Sequence, residues 1–385
     1  MSFFHQYYDE MTSKCICGGY HEPLTAERIE IGRGAISQLG SFLHDQSFYR
    51  PLLVYDSNTK AASEDFLKHI FGAGTISYNE SVIPENEQGD VLVDEQSIVH
   101  LLAEASSETD VMIAAGAGSI HDIVRFASYK MKIPFISVPT APSVDGFTSQ
   151  GAPIIRRKVK ETYPTQPPIA LFADLDILRR APTRMVYAGF GDMLGKYTSL
   201  ADWKFSAYSA DEPYCDAAAA MTASALERCV YNRHQIAQQT EYGIDILMRG
   251  LIESVMAMAM FGSSHPASGA EHHLSHYWEM AFLQNNQKQL LHGEKVGMAC
   301  AIIADYYHDN RERILSAMPL YQEKKIREIF ADIPAGRTIR SYLYDVGNHN
   351  DFTSLGISEE LIYSSLNEAH RLRNRNTMLK KLNEI

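Results

Sequence analysis

Val111-Met112-Ile113-Ala114-Ala115 runs without a break into Gly116-Ala117-Gly118-Ser119-Ile120-His121-Asp122, and a helical period follows over residues 119–130. The apolar run, entered from Thr109-Asp110, reads as a buried strand, and the glycines beyond it as a tight turn into a helix. Such a turn lets backbone approach a diphosphate, and the free N–H groups of the helix start favour an anion. The loop departs from the common dinucleotide fingerprint. His121 stands where a third glycine would, and no acid follows about twenty residues on. Taken alone, it is equally well a plain strand-to-helix turn capped by Ser119.

Outward from this stretch, short apolar runs at 52–55, 133–138 and 169–173 read as further strands. A helical period over 93–106 places Ile98, Leu101, Leu102 and Ala105 on one face. Strands alternating with helices of this length predict βαβ units and a parallel sheet. Asp56 lies just beyond the 52–55 strand, where strand ends converge on one crevice, and it could reach a ribose there. A second polar loop, Pro139-Thr140-Ala141-Pro142-Ser143-Val144-Asp145-Gly146-Phe147-Thr148-Ser149, follows the 133–138 strand and offers hydroxyls and N–H groups for a nicotinamide. After about residue 178 the strand signal stops. Helical patterns occupy 216–239, 242–261, 271–283 and 296–307. The expected architecture is an α/β nucleotide-binding domain over 1–178 and an all-helical domain over 179–385, with a ligand cleft between them.

Bulk properties agree. A chain of 385 residues suggests roughly two domains, and 45% hydrophobic with 21% charged residues is ordinary globular composition. The net charge of -12 excludes nucleic acid and anionic membranes as general partners, while leaving room for a small cationic pocket. Residues 1–11 lack a basic, then apolar, leader, and the apolar run at 251–261 is short and interrupted by Glu253, so a cytoplasmic protein is expected. The odd number of cysteines, five, fits reduced thiols. Cys15-Ile16-Cys17 with His21 offers soft ligands, but the spacing is not that of a zinc knuckle and no second pair follows.

Several candidate ligands lie in the second half. Asp192 sits in Gly189-Phe190-Gly191-Asp192-Met193-Leu194-Gly195-Lys196, expected at a helix start. His272 and His276 share one face of a helix beginning after Pro266-Ala267-Ser268-Gly269, and His292 precedes another helix. One carboxylate with two imidazoles is a standard divalent-metal set. Spacing alone leaves His265 and His273 as competitors among the 15 histidines.

Together these motifs resemble the iron-containing alcohol dehydrogenase and glycerol dehydrogenase superfamily, and within it the bacterial-type sn-glycerol-1-phosphate branch. The resemblance rests on Gly118-Ser119-Ile120-His121-Asp122, Pro139-Thr140-Ala141-Pro142-Ser143-Val144-Asp145-Gly146, Gly191-Asp192, Ser268-Gly269-Ala270-Glu271-His272 with His276, and His292-Gly293-Glu294. It implies a dehydroquinate synthase-like fold and a metal held by Asp192, His272 and His292, nickel first and zinc next. It implies dinucleotide contacts at Asp56, Gly118, Ser119, Ile120, His121, Asp122, Thr140, Ala141, Pro142, Ser143 and Ser149. Asp145 and His276 would touch substrate or relay its proton, with Asp192 also in reach. The implied reaction is reversible reduction of dihydroxyacetone phosphate to sn-glycerol 1-phosphate by a homo-oligomer, with a dimer the expected form. NAD(H) is expected over NADP(H), since the Asp56 charge would repel a 2′-phosphate. The competing readings are a glycerol dehydrogenase for unphosphorylated substrate, a dehydroquinate-synthase-like lyase, and a metal-binding regulator without turnover.

Overall fold

The computed structural model describes residues 3–72 and 76–385; Met1 and Ser2, part of the segment read above for a leader, lie outside them. Eight strands form among the described residues: β1 (Arg28–Gly32), β2 (Pro51–Tyr55), β3 (Asn79–Val82), β4 (Val111–Gly116), β5 (Phe135–Pro139), β6 (Gly151–Arg156), β7 (Val159–Pro164) and β8 (Ala170–Asp174). Six make one parallel sheet in the order β1-β8-β5-β4-β2-β3, and β6 with β7 is a separate antiparallel hairpin. The inner strands β2, β4, β5 and β8 are buried throughout. Along β4, Val111, Ile113 and Ala115 join one core cluster while Met112 and Ala114 join another. Both faces of the sheet are therefore covered, which is why these strands read as unbroken apolar runs.

The remainder of the chain after β8 is helical. Helices Thr183–Leu194, Lys196–Ala210, Asp216–Tyr231, Glu241–Phe261, Ala270–Gln284 and His292–Asp309 supply most of a third core cluster. The N-terminal helix Phe3–Ser13 crosses over to it, burying Phe4 and Tyr8 there. Asp192 does not start a helix, as the sequence suggested, but lies near the end of Thr183–Leu194. The glycines around it read as a break, yet they serve close packing. A Cβ on Gly191 would stand 2.3 Å from the Gly293 carbonyl oxygen, and one on Gly293 would stand 1.7 Å from that of Ala188. Two helices thereby approach backbone to backbone and bring Asp192 beside His292. Among the described residues no helix is long and apolar enough to cross a membrane.

Candidate active site

Because β4 and β5 are neighbours, with Gly116 opposite Pro139, the glycine loop and the proline loop leave the sheet side by side. The Thr140 N–H donates to the Gly116 carbonyl at 3.0 Å. Helix Gly118–Met131 has Ala117 as its N-cap, and no side chain caps it, Ser119 included. Its first-turn N–H groups are thus left for an anion. The buried Arg125 ties both loops together: its guanidinium donates to the carbonyls of Gly146 at 2.5 Å and Gly151 at 3.3 Å and pairs with Asp122. Burial pushes the Asp122 carboxyl up to about 6, against the pull of Arg125. Asp56, at the end of β2, accepts from the Thr59 N–H at 2.8 Å and so caps helix Ser57–Phe71.

The metal candidates converge from three helices. Asp192, His272 and His292 each offer a ligand atom, all within 4.8 Å of one another. His272 Nε2 lies 3.9 Å from Asp192 Oδ1. Its Nδ1 is 2.7 Å from Glu271 Oε1, and that bond fixes the ring with Nε2 directed at Asp192. Glu271 also accepts from the Gly269 N–H and the Thr198 hydroxyl, each at 2.6 Å. Burial alone would raise its carboxyl, but His272, Thr198 and Gly269 pull it down to about 2. His292 is positioned by Glu294, which caps its helix through the Leu291 N–H at 3.0 Å and is clamped by both arms of Arg184 at 2.8 Å. One carboxylate and two imidazoles, one oriented by an outer carboxylate, fit a borderline divalent ion.

His276 stands just outside this trio, its ring 6.2 Å from that of His292, and its Nε2 is 3.4 Å from Arg373 Nη2. Burial, then Arg373, holds its pKa well below the usual histidine value. Arginine has only donors, so Nε2 accepts and the neutral ring carries its proton on Nδ1. Of the two competitors, His265 turns away to Ser263 and Glu212, while His273 is buried with neither ring nitrogen partnered among the described residues. Lys196 donates to Asp145 Oδ2 at 2.8 Å and to Asp192 Oδ1 at 3.0 Å. Burial would lower its ammonium, but the charges of Asp145 and then Asp192 hold it above the ordinary range. Ser254 donates to the same Asp145 oxygen at 2.9 Å.

One cavity of about 930 Å³ joins these parts, lined by Asp56, Gly118, Ser119, Ile120, Asp122, Ser143, Asp145, Ser149, His272, His276 and His292 among others. Lys160, Lys295 and Arg373 also line it. Both lysines share the single carboxylate of Glu279, at 2.9–3.0 Å, and Arg373 has no carboxylate partner among the described residues.

A profile of the iron-containing alcohol dehydrogenase family matches residues 30–182. The glycerol-1-phosphate dehydrogenase [NAD(P)+] of Geobacillus stearothermophilus is 46% identical over 97% of this chain and 96% of its own length. That of Bacillus subtilis is 42% identical over 94% and 92%. The chain belongs to the iron-containing alcohol dehydrogenase family, in the branch of these relatives. Solved structures of the family share the fold at low identity. Glycerol dehydrogenase from Schizosaccharomyces pombe matches with a TM-score of 0.64 at 18% identity over 94% of this chain and 86% of its own. NADH-dependent butanol dehydrogenase A from Thermotoga maritima matches at 0.67 with 14% identity over 94% and 93%.

Within this family frame, most residues singled out from the sequence line the one cavity, and a few do not. His121 lies beneath the glycine loop, its Nε2 2.8 Å from Ser137 Oγ, and it braces the loop from inside. Thr140, Ala141 and Pro142 are buried at the root of the second loop and are not part of the cavity wall, and Asp192 is fully buried behind the lining residues. Sequence reasoning missed Lys196, Glu271 as an orienting group, and the cations Lys160, Lys295 and Arg373. Lys196 had a signal, standing four residues after Asp192. Glu271 stands inside the Ser268–His272 motif and Lys295 directly after His292-Gly293-Glu294, while Lys160 and Arg373 belong to segments with no feature beyond ordinary charge.

Proposed function

We propose that this chain interconverts dihydroxyacetone phosphate and sn-glycerol 1-phosphate with a nicotinamide coenzyme and a divalent metal, working in the cytoplasm as a homodimer. The observation that carries the substrate assignment is the group of three cations, Lys160, Lys295 and Arg373, that lines the cavity together with His272 and His292, with the two lysines sharing the Glu279 carboxylate. That group fits a phosphate dianion, and an unphosphorylated triol would have no use for it. The relatives' names support the same reading.

A divalent ion held by Asp192, His272 and His292 supplies Lewis acidity at a ketone or alkoxide oxygen. A nicotinamide coenzyme on the glycine loop supplies or accepts the hydride. Arg373, Lys160 and Lys295 hold the phosphate and so place the reacting carbon over the cluster, converting remote binding into orientation. Lys196 fixes Asp145 and Asp192 in one geometry, and Glu271 keeps His272 in the tautomer that leaves Nε2 free to bind. Asp145 and His276, both in the cavity wall, are the groups that pass a proton to and from the substrate oxygen. Asp56 gives NAD(H) preference over NADP(H). Nickel is the proposed ion, with zinc the alternative, since this donor set takes either.

Metal-stripped protein, reloaded with nickel or zinc, tests the proposal. NADH oxidation on dihydroxyacetone phosphate should vanish on stripping and return on reloading, with sn-glycerol 1-phosphate as the product. Full turnover in verified metal-free protein, or the opposite enantiomer, would overturn it.

A further inference from the structure

A second cluster of metal-ligating side chains lies outside the residues that line the cavity. Cys15, Cys17 and His21 belong to the irregular segment between helix Phe3–Ser13 and β1. Cys215 is the N-cap of helix Asp216–Tyr231. Each offers a ligand atom, and the four atoms lie within 4.8 Å of one another. The sequence showed only the first three, and the fold supplies the fourth from two hundred residues away.

The spacings match a tetrahedral ion. Bond lengths of about 2.3 Å to sulfur and about 2.0–2.1 Å to nitrogen put ligand atoms about 3.8 Å apart for S and S, and about 3.6 Å apart for S and N. The structure has Cys15 Sγ 3.5 Å from Cys215 Sγ, and Cys17 Sγ 3.6 Å from His21 Nε2. The surroundings also suit bound thiolates. His21 Nδ1 is 2.7 Å from the Met260 carbonyl oxygen, so the ring donates there and presents Nε2 inward. Gly18, at φ 74, lets the chain turn until the Gly19 N–H reaches Cys17 Sγ at 3.3 Å. The Ala218 N–H donates to Cys215 Sγ at 3.4 Å, at the positive end of a helix. A Cys15–Cys215 disulfide would use two of the sulfurs and leave the convergence of Cys17 and His21 unexplained.

We propose that Cys15, Cys17, His21 and Cys215 form a structural zinc site. Three thiolates and one imidazole are a closed set that leaves no position for substrate. Bound there, zinc pins the N-terminal segment to the start of helix Asp216–Tyr231 and, through His21, to the end of helix Glu241–Phe261. It stabilises the helical half without taking part in turnover.

Cobalt(II) substitution of the reduced full-length protein tests this, because thiolate-to-cobalt charge-transfer absorption in the near ultraviolet arises only from sulfur ligands. The Asp192, His272 and His292 cluster has none. The wild type should show the band and, grown with zinc, should hold about two metal ions per chain by elemental analysis, where a single site predicts about one. Cys17→Ser and His21→Ala should each lose or weaken the band, and lower the melting temperature. His272→Ala should keep the band and lose the other ion. A cobalt-loaded wild type with five titrated thiols and no band would overturn the site. So would an unchanged band in Cys17→Ser, or a Cys15–Cys215 disulfide in freshly isolated protein by mass spectrometry. If the variants fail to fold, the wild-type spectrum alone decides.

Discussion

Replacing Arg373 with methionine should damage the reaction of the phosphorylated ketone more than that of the free one. Methionine keeps much of the aliphatic volume and removes the charge. The guanidinium is partly buried in the cavity wall, donates to Ser268 Oγ at 3.3 Å and has no carboxylate to neutralise it, so its charge is available to a phosphate. Lys160 and Lys295 both lean on Glu279, and their charges are partly spent there. Arg373 should therefore matter most of the three. A hydrogen bond to a charged group contributes about 1.5–3 kcal/mol, which is roughly 10- to 150-fold in kcat/KM. The upper half requires exclusion of water, and Arg373 is only partly buried, so the lower half of that range is expected. The assay is initial-rate NADH oxidation on dihydroxyacetone phosphate and on dihydroxyacetone for wild type and Arg373→Met, with metal content checked in both. A selective fall on the phosphate ester is the expected result. An equal fall on both ketones would refute the reasoning, since it would mean that Arg373 acts through fold or metal and not through phosphate.

Two further substitutions probe the other walls. Glu271→Gln keeps the shape and an acceptor oxygen but loses the charge that strengthens the His272 bond, and should weaken nickel or zinc binding about 10-fold or more in competition with a chelator; unchanged affinity would remove the Glu271 charge from its orienting role. Asp56→Ser retains a capping oxygen for helix Ser57–Phe71 while deleting the charge, and should narrow the NAD(H) preference roughly ten-fold. A coenzyme ratio equal to that of the wild type would show that Asp56 does only the capping.

The parts of this fold legible in the sequence are those where burial is complete. The strands at β2, β4, β5 and β8 are covered on both faces and read as apolar runs, whereas the edge strands β1 and β3 present one buried residue each and read as loop. The hairpin of β6 and β7 escaped notice because β7 has no fully buried position to impose a period. Glycine misled at Asp192, since Gly191 and Gly293 are small for helix packing and not for a turn. In the site, the imidazoles and carboxylate stood out because their chemistry is rare in a core. Arg373 did not, because Arg371-Leu372-Arg373-Asn374-Arg375 reads as a solvated basic run until the fold places Leu372 and Arg373 in the cavity wall. Cys215 pairs with Cys15 only through tertiary structure, which no local spacing encodes.

The measurement that bears most directly on the account is the ratio of kcat/KM for dihydroxyacetone phosphate over dihydroxyacetone in the metal-loaded wild type. If the cationic wall binds phosphate and orients the carbonyl over the cluster, the phosphorylated ketone should be favoured by roughly two to four decades, with part of the difference in kcat. Comparable values for the two ketones would contradict the assignment and favour a glycerol dehydrogenase.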